Sequence, residues 1–112
     1  MNLDKLLELR EDAVLMLAFI RGTDSTITWQ KAAKAATRFL NNAAIFILPD
    51  SQKPPVFAVA NVEGTAAFHL EQLVGKLPKS KDVPFGEDEA KAFPWLVILP
   101  MVVQLLLKWF TK

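Results

Sequence analysis

Few side chains in this sequence are suited to chemistry, since it has a single histidine, His69, and no cysteine. The lack of cysteine excludes disulfides, thiolate zinc sites and a cysteine nucleophile. His69 lies at the edge of the apolar face of a predicted helix, and neither Glu63 nor Glu71 shares its face. A catalytic or metal-binding histidine needs such a carboxylate, or further ligands at helical spacing. We therefore predict a partly exposed structural histidine; the alternative is an enzyme whose partner chain completes a site around His69.

Other reactive or ligand-binding motifs are also missing from the sequence. The acidic run Glu87-Asp88-Glu89 lacks the loop spacing of a calcium site, and it suits the first turn of a helix, where carboxylates stabilise the helix dipole. The four glycines, at positions 22, 64, 75 and 86, are isolated, so none forms part of a phosphate-binding loop, and no Gly-x-Ser-x-Gly motif occurs. We expect no catalytic activity, no cofactor, no metal and no small-molecule substrate.

Three cations, Lys31, Lys34 and Arg38, share one face of a predicted helix that begins at Trp29. Cations in this arrangement can contact phosphates, including those of lipid headgroups, and a tryptophan suits a membrane interface. The alternative is an ordinary solvated helix face. The net charge of +1, from 13 basic and 12 acidic residues, creates no field that attracts a polyanion. Nucleic acid is therefore not an expected partner.

Three segments have the periodicity of amphipathic helices, and local capping signals mark their ends. Gly22 is suited to a left-handed cap at the end of the first helix, and Thr28 and Thr65 are suited to N-caps of the second and third. The predicted helices run from Leu3 to Arg21, from Trp29 to about Asn42, and from Ala66 to Leu77.

Two short runs between the second and third helices have the composition of β-strands. Residues 44–48 and 56–62 are rich in β-branched and aromatic side chains, and a loop containing Pro49, Pro54 and Pro55 joins them. This pattern predicts an antiparallel hairpin. The expected fold class is therefore α+β and mostly helical, with three amphipathic helices, one hairpin and a final apolar helix.

The C-terminal part of the chain is the most apolar. A charged, proline- and glycine-containing linker, residues 78–91, separates a small domain, residues 1–77, from the segment 92–110. Only Gln104 is polar between residues 92 and 107. As a helix, the 19 residues of the segment 92–110 would extend about 28 Å, close to the roughly 30 Å thickness of a bilayer core. Aromatic residues at both ends, including Trp95 and Trp109, agree with a membrane anchor.

Two alternatives need no membrane for this segment. It can form a buried strand, residues 95–99, followed by a helix that begins with Pro100, or it can be buried between two copies of the chain. If the segment spans lipid, Pro100 and Gln104 favour contact with another protein helix, because a lone amide in hydrocarbon seeks a partner. Trp95, Pro100, Gln104 and Trp109 are the residues predicted to serve anchoring and packing.

The apolar content of 52% and the mean hydropathy of +0.24 indicate either an unusually rich core for so small a domain or surface that meets lipid or another chain. The functional prediction is a single-pass, membrane-anchored interaction protein with its N-terminal domain in the cytoplasm. It would be an accessory subunit of a membrane complex, or a phage- or envelope-associated membrane protein. Membrane lipid and a protein partner or second copy are its expected partners. The alternative is a soluble, cytoplasmic, self-associating binding or regulatory domain whose C-terminal segment is buried in a dimer.

Overall fold

The computed structural model describes residues 3–44, 61–80 and 93–110, and the regular elements in these three ranges are four α-helices. They are α1 (Leu3–Arg21), α2 (Trp29–Ala43), α3 (Val62–Lys76) and α4 (Trp95–Phe110). The predicted α+β fold with a hairpin is therefore wrong. Ala44, at the start of the first predicted strand, caps α2 in a helical conformation, and Val62, at the end of the second, begins α3. The intervening residues 45–60 lie outside the described ranges, as do residues 81–92.

The first helix has the predicted bounds, and its C-terminal cap is the predicted one. Gly22 adopts a φ of 66°, and the amide of Thr23 donates to the carbonyl of Ala18 at 3.1 Å. This left-handed cap satisfies carbonyls of the last turn that have no partner within the helix. Glycine is suited to this position because a positive φ is strained for residues that carry a Cβ.

The second helix also begins where the sequence predicts. The hydroxyl of Thr28 accepts a hydrogen bond from the amide of Lys31 at 3.2 Å, which confirms the N-cap. The buried face of α2 is built almost entirely from small side chains around Phe39, which allows the neighbouring helices to approach closely. Its buried alanines are Ala32, Ala33, Ala35, Ala36 and Ala43.

The third helix begins four residues before the predicted start. Asn61, not Thr65, is the N-cap; its side-chain oxygen accepts from the amide of Gly64 at 3.3 Å while its backbone is left-handed, with φ 54° and ψ 54°. Asparagine tolerates this conformation better than most residues that carry a side chain. The hydroxyl of Thr65 instead donates to the carbonyl of Asn61 at 3.2 Å, one turn inside the helix.

The fourth helix replaces the predicted transmembrane span. It has 16 residues, about 24 Å of helix, and no helix within the described ranges combines the length and the apolar character needed to cross a membrane. The prediction of a transmembrane helix is therefore wrong. The helix begins after Pro94, whose carbonyl accepts from Ile98 at 3.0 Å, and it continues through Pro100 to Phe110. A separate strand over residues 95–99 is also wrong.

The four helices pack in the cyclic order α1, α2, α4, α3, so that each contacts two neighbours. Contacts near both ends show that α2 and α4 are antiparallel: Phe39 lies against Trp95, and Trp29 lies against Phe110. One apolar core runs through the bundle, and α4 contributes Trp95, Ile98, Leu99, Met101, Val102, Leu105 and Trp109 to it. The apolar inner face of α4 is thus covered by the chain's own helices.

Candidate functional site

The most polar buried feature of the bundle is an ion pair between α1 and α2. Asp12 is only 3% exposed, and Arg38 donates to both of its carboxylate oxygens, from Nε at 2.7 Å and from Nη2 at 2.9 Å. The same Nη2 also donates to Glu11 at 3.2 Å, and one turn away Asn42 donates to Glu8 at 2.9 Å. The two-pronged geometry fixes the register of α1 against α2.

The surroundings of Asp12 shift its protonation equilibrium. Burial raises the pKa of this carboxyl above the ordinary value of 3.8, while the two hydrogen bonds from Arg38 act in the opposite direction. The Asp12 carboxylate in turn raises the pKa of Arg38, so the guanidinium stays charged. Asp12 is thus a buried charge that depends on one partner.

An open groove lies beside this ion pair, between the outer surfaces of α1 and α2. It has a volume of about 280 Å³ and is lined by Asp12, Leu15, Lys31, Lys34, Ala35 and Arg38. The three cations predicted to contact headgroups are therefore together at one groove. Asp12 and Leu15 come from α1 and were not predicted to line it, because helical periodicity within α2 carries no information on its neighbour.

The outer face of α4 forms a second candidate surface, which we call the α4 seam. It consists of Leu96, Val103, Leu107 and Phe110, which are 49%, 42%, 60% and 60% exposed. These side chains lie in one row along the helix, whereas Trp95, Leu105 and Trp109 on the opposite face are buried. The seam is thus the part of the predicted anchor segment that the bundle itself leaves uncovered.

The residues predicted for anchoring and packing take different positions on α4. Trp95, Pro100 and Trp109 are buried, and Gln104 is partly exposed beside the seam. The ring of Trp109 packs edge-on against Phe19, with 5.3 Å between the centroids. These two tryptophans therefore serve the packing of the bundle.

His69 lines a small recess of about 20 Å³ between α3 and the start of α4, next to Gln72, Lys76, Phe93 and Pro94. Its ring packs edge-on against Phe68, with 5.4 Å between the centroids. Within the three described ranges, no group of three histidine or acidic side chains is placed to hold a metal ion. The run Glu87-Asp88-Glu89 lies outside those ranges.

The chain matches no known protein family, no curated protein and no solved structure.

Proposed function

We propose that this chain is a non-catalytic helical interaction domain that pairs with a second copy of itself through the α4 seam. The single observation that carries the proposal is the exposure of Leu96, Val103, Leu107 and Phe110 on a helix whose opposite face is fully packed. Large apolar side chains that are exposed singly are common, but several of them along one face of a helix mark an interaction surface.

The spacing of the seam fits a helix as the partner. Leu96, Val103 and Phe110 are seven residues apart, and Leu107 follows Val103 by four. Pro100, which is buried, occupies the corresponding position four residues after Leu96. Apolar residues that alternate at intervals of four and three form the contact row of paired helices, where side chains of one helix fit between those of the other.

The charges around the seam favour a second copy as the occupant. The only charged residue of α4 is Lys108, and its ammonium is bound to the carboxylate of Glu63 on α3 at 3.0 Å. The residues next to the seam, Val97 and Gln104, are uncharged. Two copies related by a two-fold axis place the same surface of each copy against the other, so a face without charges pairs with itself without repulsion. A strongly charged partner would find no complementary groups there.

The size of the seam sets the strength of this pairing. A 16-residue helix presents a face about 24 Å long and roughly 10 Å wide, which is smaller than the face that each partner buries in a standard stable interface. We therefore expect weak, reversible association with a Kd in the micromolar range or above. Such an interface responds to concentration, and it suits a regulatory or scaffolding role better than an obligate dimer.

Charge placed in the seam should abolish the pairing. In analytical ultracentrifugation without detergent, the wild type should approach twice the 12.5 kDa of one chain as its concentration rises to several hundred micromolar. Leu107→Lys should stay at the monomer mass, because pairing would bury each new ammonium group in an apolar contact without an opposite charge. Leu107 is 60% exposed, so the variant should keep the helical circular dichroism of the wild type.

The matched control is Phe68→Lys, which changes a side chain that is 57% exposed on α3, outside the seam. This variant should associate like the wild type. A wild type that is monomeric at every concentration would contradict the proposal. So would a wild type that floats with lipid vesicles while Leu107→Lys does not, since the seam would then contact lipid.

A further inference from the structure

A second site lies on a different face of the bundle, and it does not depend on pairing through α4. We propose that the groove between α1 and α2 binds a short amphipathic anion, whose carboxylate or phosphate head contacts Lys31 and Lys34 while its alkyl chain lies on Leu15 and Ala35.

The floor of the groove is suited to an alkyl chain. Leu15 from α1 and Ala35 from α2 line it, and the methylene stems of the two lysines extend its apolar surface. A small-molecule site typically joins such an apolar surface to a few polar groups that fix orientation. The volume of about 280 Å³ lies near the lower end of the roughly 300–1,000 Å³ typical of ligand sites, so a small ligand such as an eight-carbon amphiphile is appropriate.

The charges at the groove leave two cations for a ligand. Arg38 is already bound to Asp12 and Glu11, so its charge is balanced within the bundle. Lys34 forms no hydrogen bond or ion pair within the described ranges. The ammonium of Lys31 has a long contact, 3.5 Å, with the carbonyl of Thr26, and its charge helps to lower the pKa of Asp24 without forming an ion pair within 4 Å. Three residues apart on one helix, the two side chains are neighbours. An anionic head group between them would form an ion pair with both ammonium groups.

Lys31 and Lys34 determine which ligands the groove rejects, because the charge of Asp12 is already balanced by Arg38. The carboxylate of Asp12 lines the groove, but both of its oxygens are bound to Arg38, so it offers little to a cationic ligand. A cationic amphiphile would also meet the charges of Lys31 and Lys34. The groove therefore selects an anion over a cation or a neutral molecule with the same alkyl chain.

Titration with octanoate and octyl phosphate, followed by amide NMR, tests the site directly. We expect saturable shifts centred on Leu15 and Ala35, with a Kd of about millimolar order for a ligand of roughly ten heavy atoms. Octanol, which has the same tail without charge, should bind at least tenfold more weakly. Stronger binding of octyl phosphate would assign a phosphate head, and stronger binding of octanoate would assign a carboxylate.

The double variant Lys31→Gln/Lys34→Gln should weaken binding of both anions at least tenfold and leave octanol binding unchanged. The matched control is Lys79→Gln, which removes an exposed cation outside the groove and should bind like the wild type. The Leu107→Lys variant should also bind normally, which separates this site from the α4 seam. Shifts that spread over the whole bundle, or equal binding of octanol and octanoate, would overturn the proposal. Binding to anionic vesicles without any shift by free octanoate would overturn it in favour of a flat lipid-binding surface.

Discussion

Trp109→Ala is expected to lower the free energy of unfolding by about 3–5 kcal/mol, which is a large part of the roughly 5–15 kcal/mol that stabilises a typical domain. The side chain is fully buried, it packs edge-on against Phe19, and its loss leaves a cavity where α4 meets α1. The measurement is a urea titration followed by circular dichroism at a low micromolar concentration, where pairing through the α4 seam makes no contribution.

The adjacent residue provides the control. Phe110 is 60% exposed on the opposite face of α4, so Phe110→Ala should cost less than about 1 kcal/mol. Trp109→Phe should also cost less than Trp109→Ala, because it retains a ring and removes a buried indole N–H that has no hydrogen-bond partner within the described ranges. Equal losses for Trp109→Ala and Phe110→Ala would show that α4 is not docked on the bundle.

Arg38→Met is expected to cost about 2–4 kcal/mol at pH 7, because it leaves the carboxylate of Asp12 buried without its partner. The lower part of this range is favoured, since Arg38 is 44% exposed and solvent screens the pair. Lys34→Met, which removes an exposed cation from the same helix, should change stability by less than about 0.5 kcal/mol.

The loss of stability caused by Arg38→Met should depend on pH in a defined direction. Burial already raises the pKa of Asp12 above 3.8 in the folded wild type, and removal of Arg38 should raise it further. A folded state that binds a proton more tightly than the unfolded state loses stability as the pH rises from 3.8 through the folded-state pKa. The variant should therefore regain stability relative to the wild type as the pH falls from 7 toward 4.

A second substitution checks the cause of this pH dependence. Asp12→Asn in the Arg38→Met background removes the unpaired charge, so it should recover most of the loss at pH 7 and abolish the pH dependence. If Arg38→Met lowers the free energy of unfolding equally at pH 4 and pH 7, Asp12 is not the titrating group.

Local features were predictable wherever the signal lies within one element. The bounds of α1, its glycine cap and the Thr28 N-cap all follow from side chains within a few residues of the helix end. The start of α3 was missed because Gly64 and Thr65 resemble a helix boundary, whereas the cap of Asn61 forms through a left-handed backbone that composition does not reveal. The β-branched runs favoured strands, yet Ala44 and Val62, at their outer ends, belong to the ends of helices.

The candidate sites were predictable only in part, for the same reason. The spacing of Lys31, Lys34 and Arg38 placed them on one face, and the groove brings them together. Asp12 of α1 was not predicted to belong to the site, and it is buried where Arg38 from α2 lies across it. No pattern within α1 indicates that contact, since the two residues are 26 positions apart.

The sequence by itself determined that the chain is helical over most of the described ranges, that it lacks cysteine, and that its C-terminal segment must remove apolar surface from water. Only the tertiary structure decided what covers that surface. Hydrophobic burial has no direction, so an apolar helix is satisfied equally well by lipid, by a second chain or by its own domain. The alanine-rich face of α2 and the apolar face of α3 leave room for α4, so the inner face of α4 is buried in the bundle. Leu96, Val103, Leu107 and Phe110 stay exposed on its outer face.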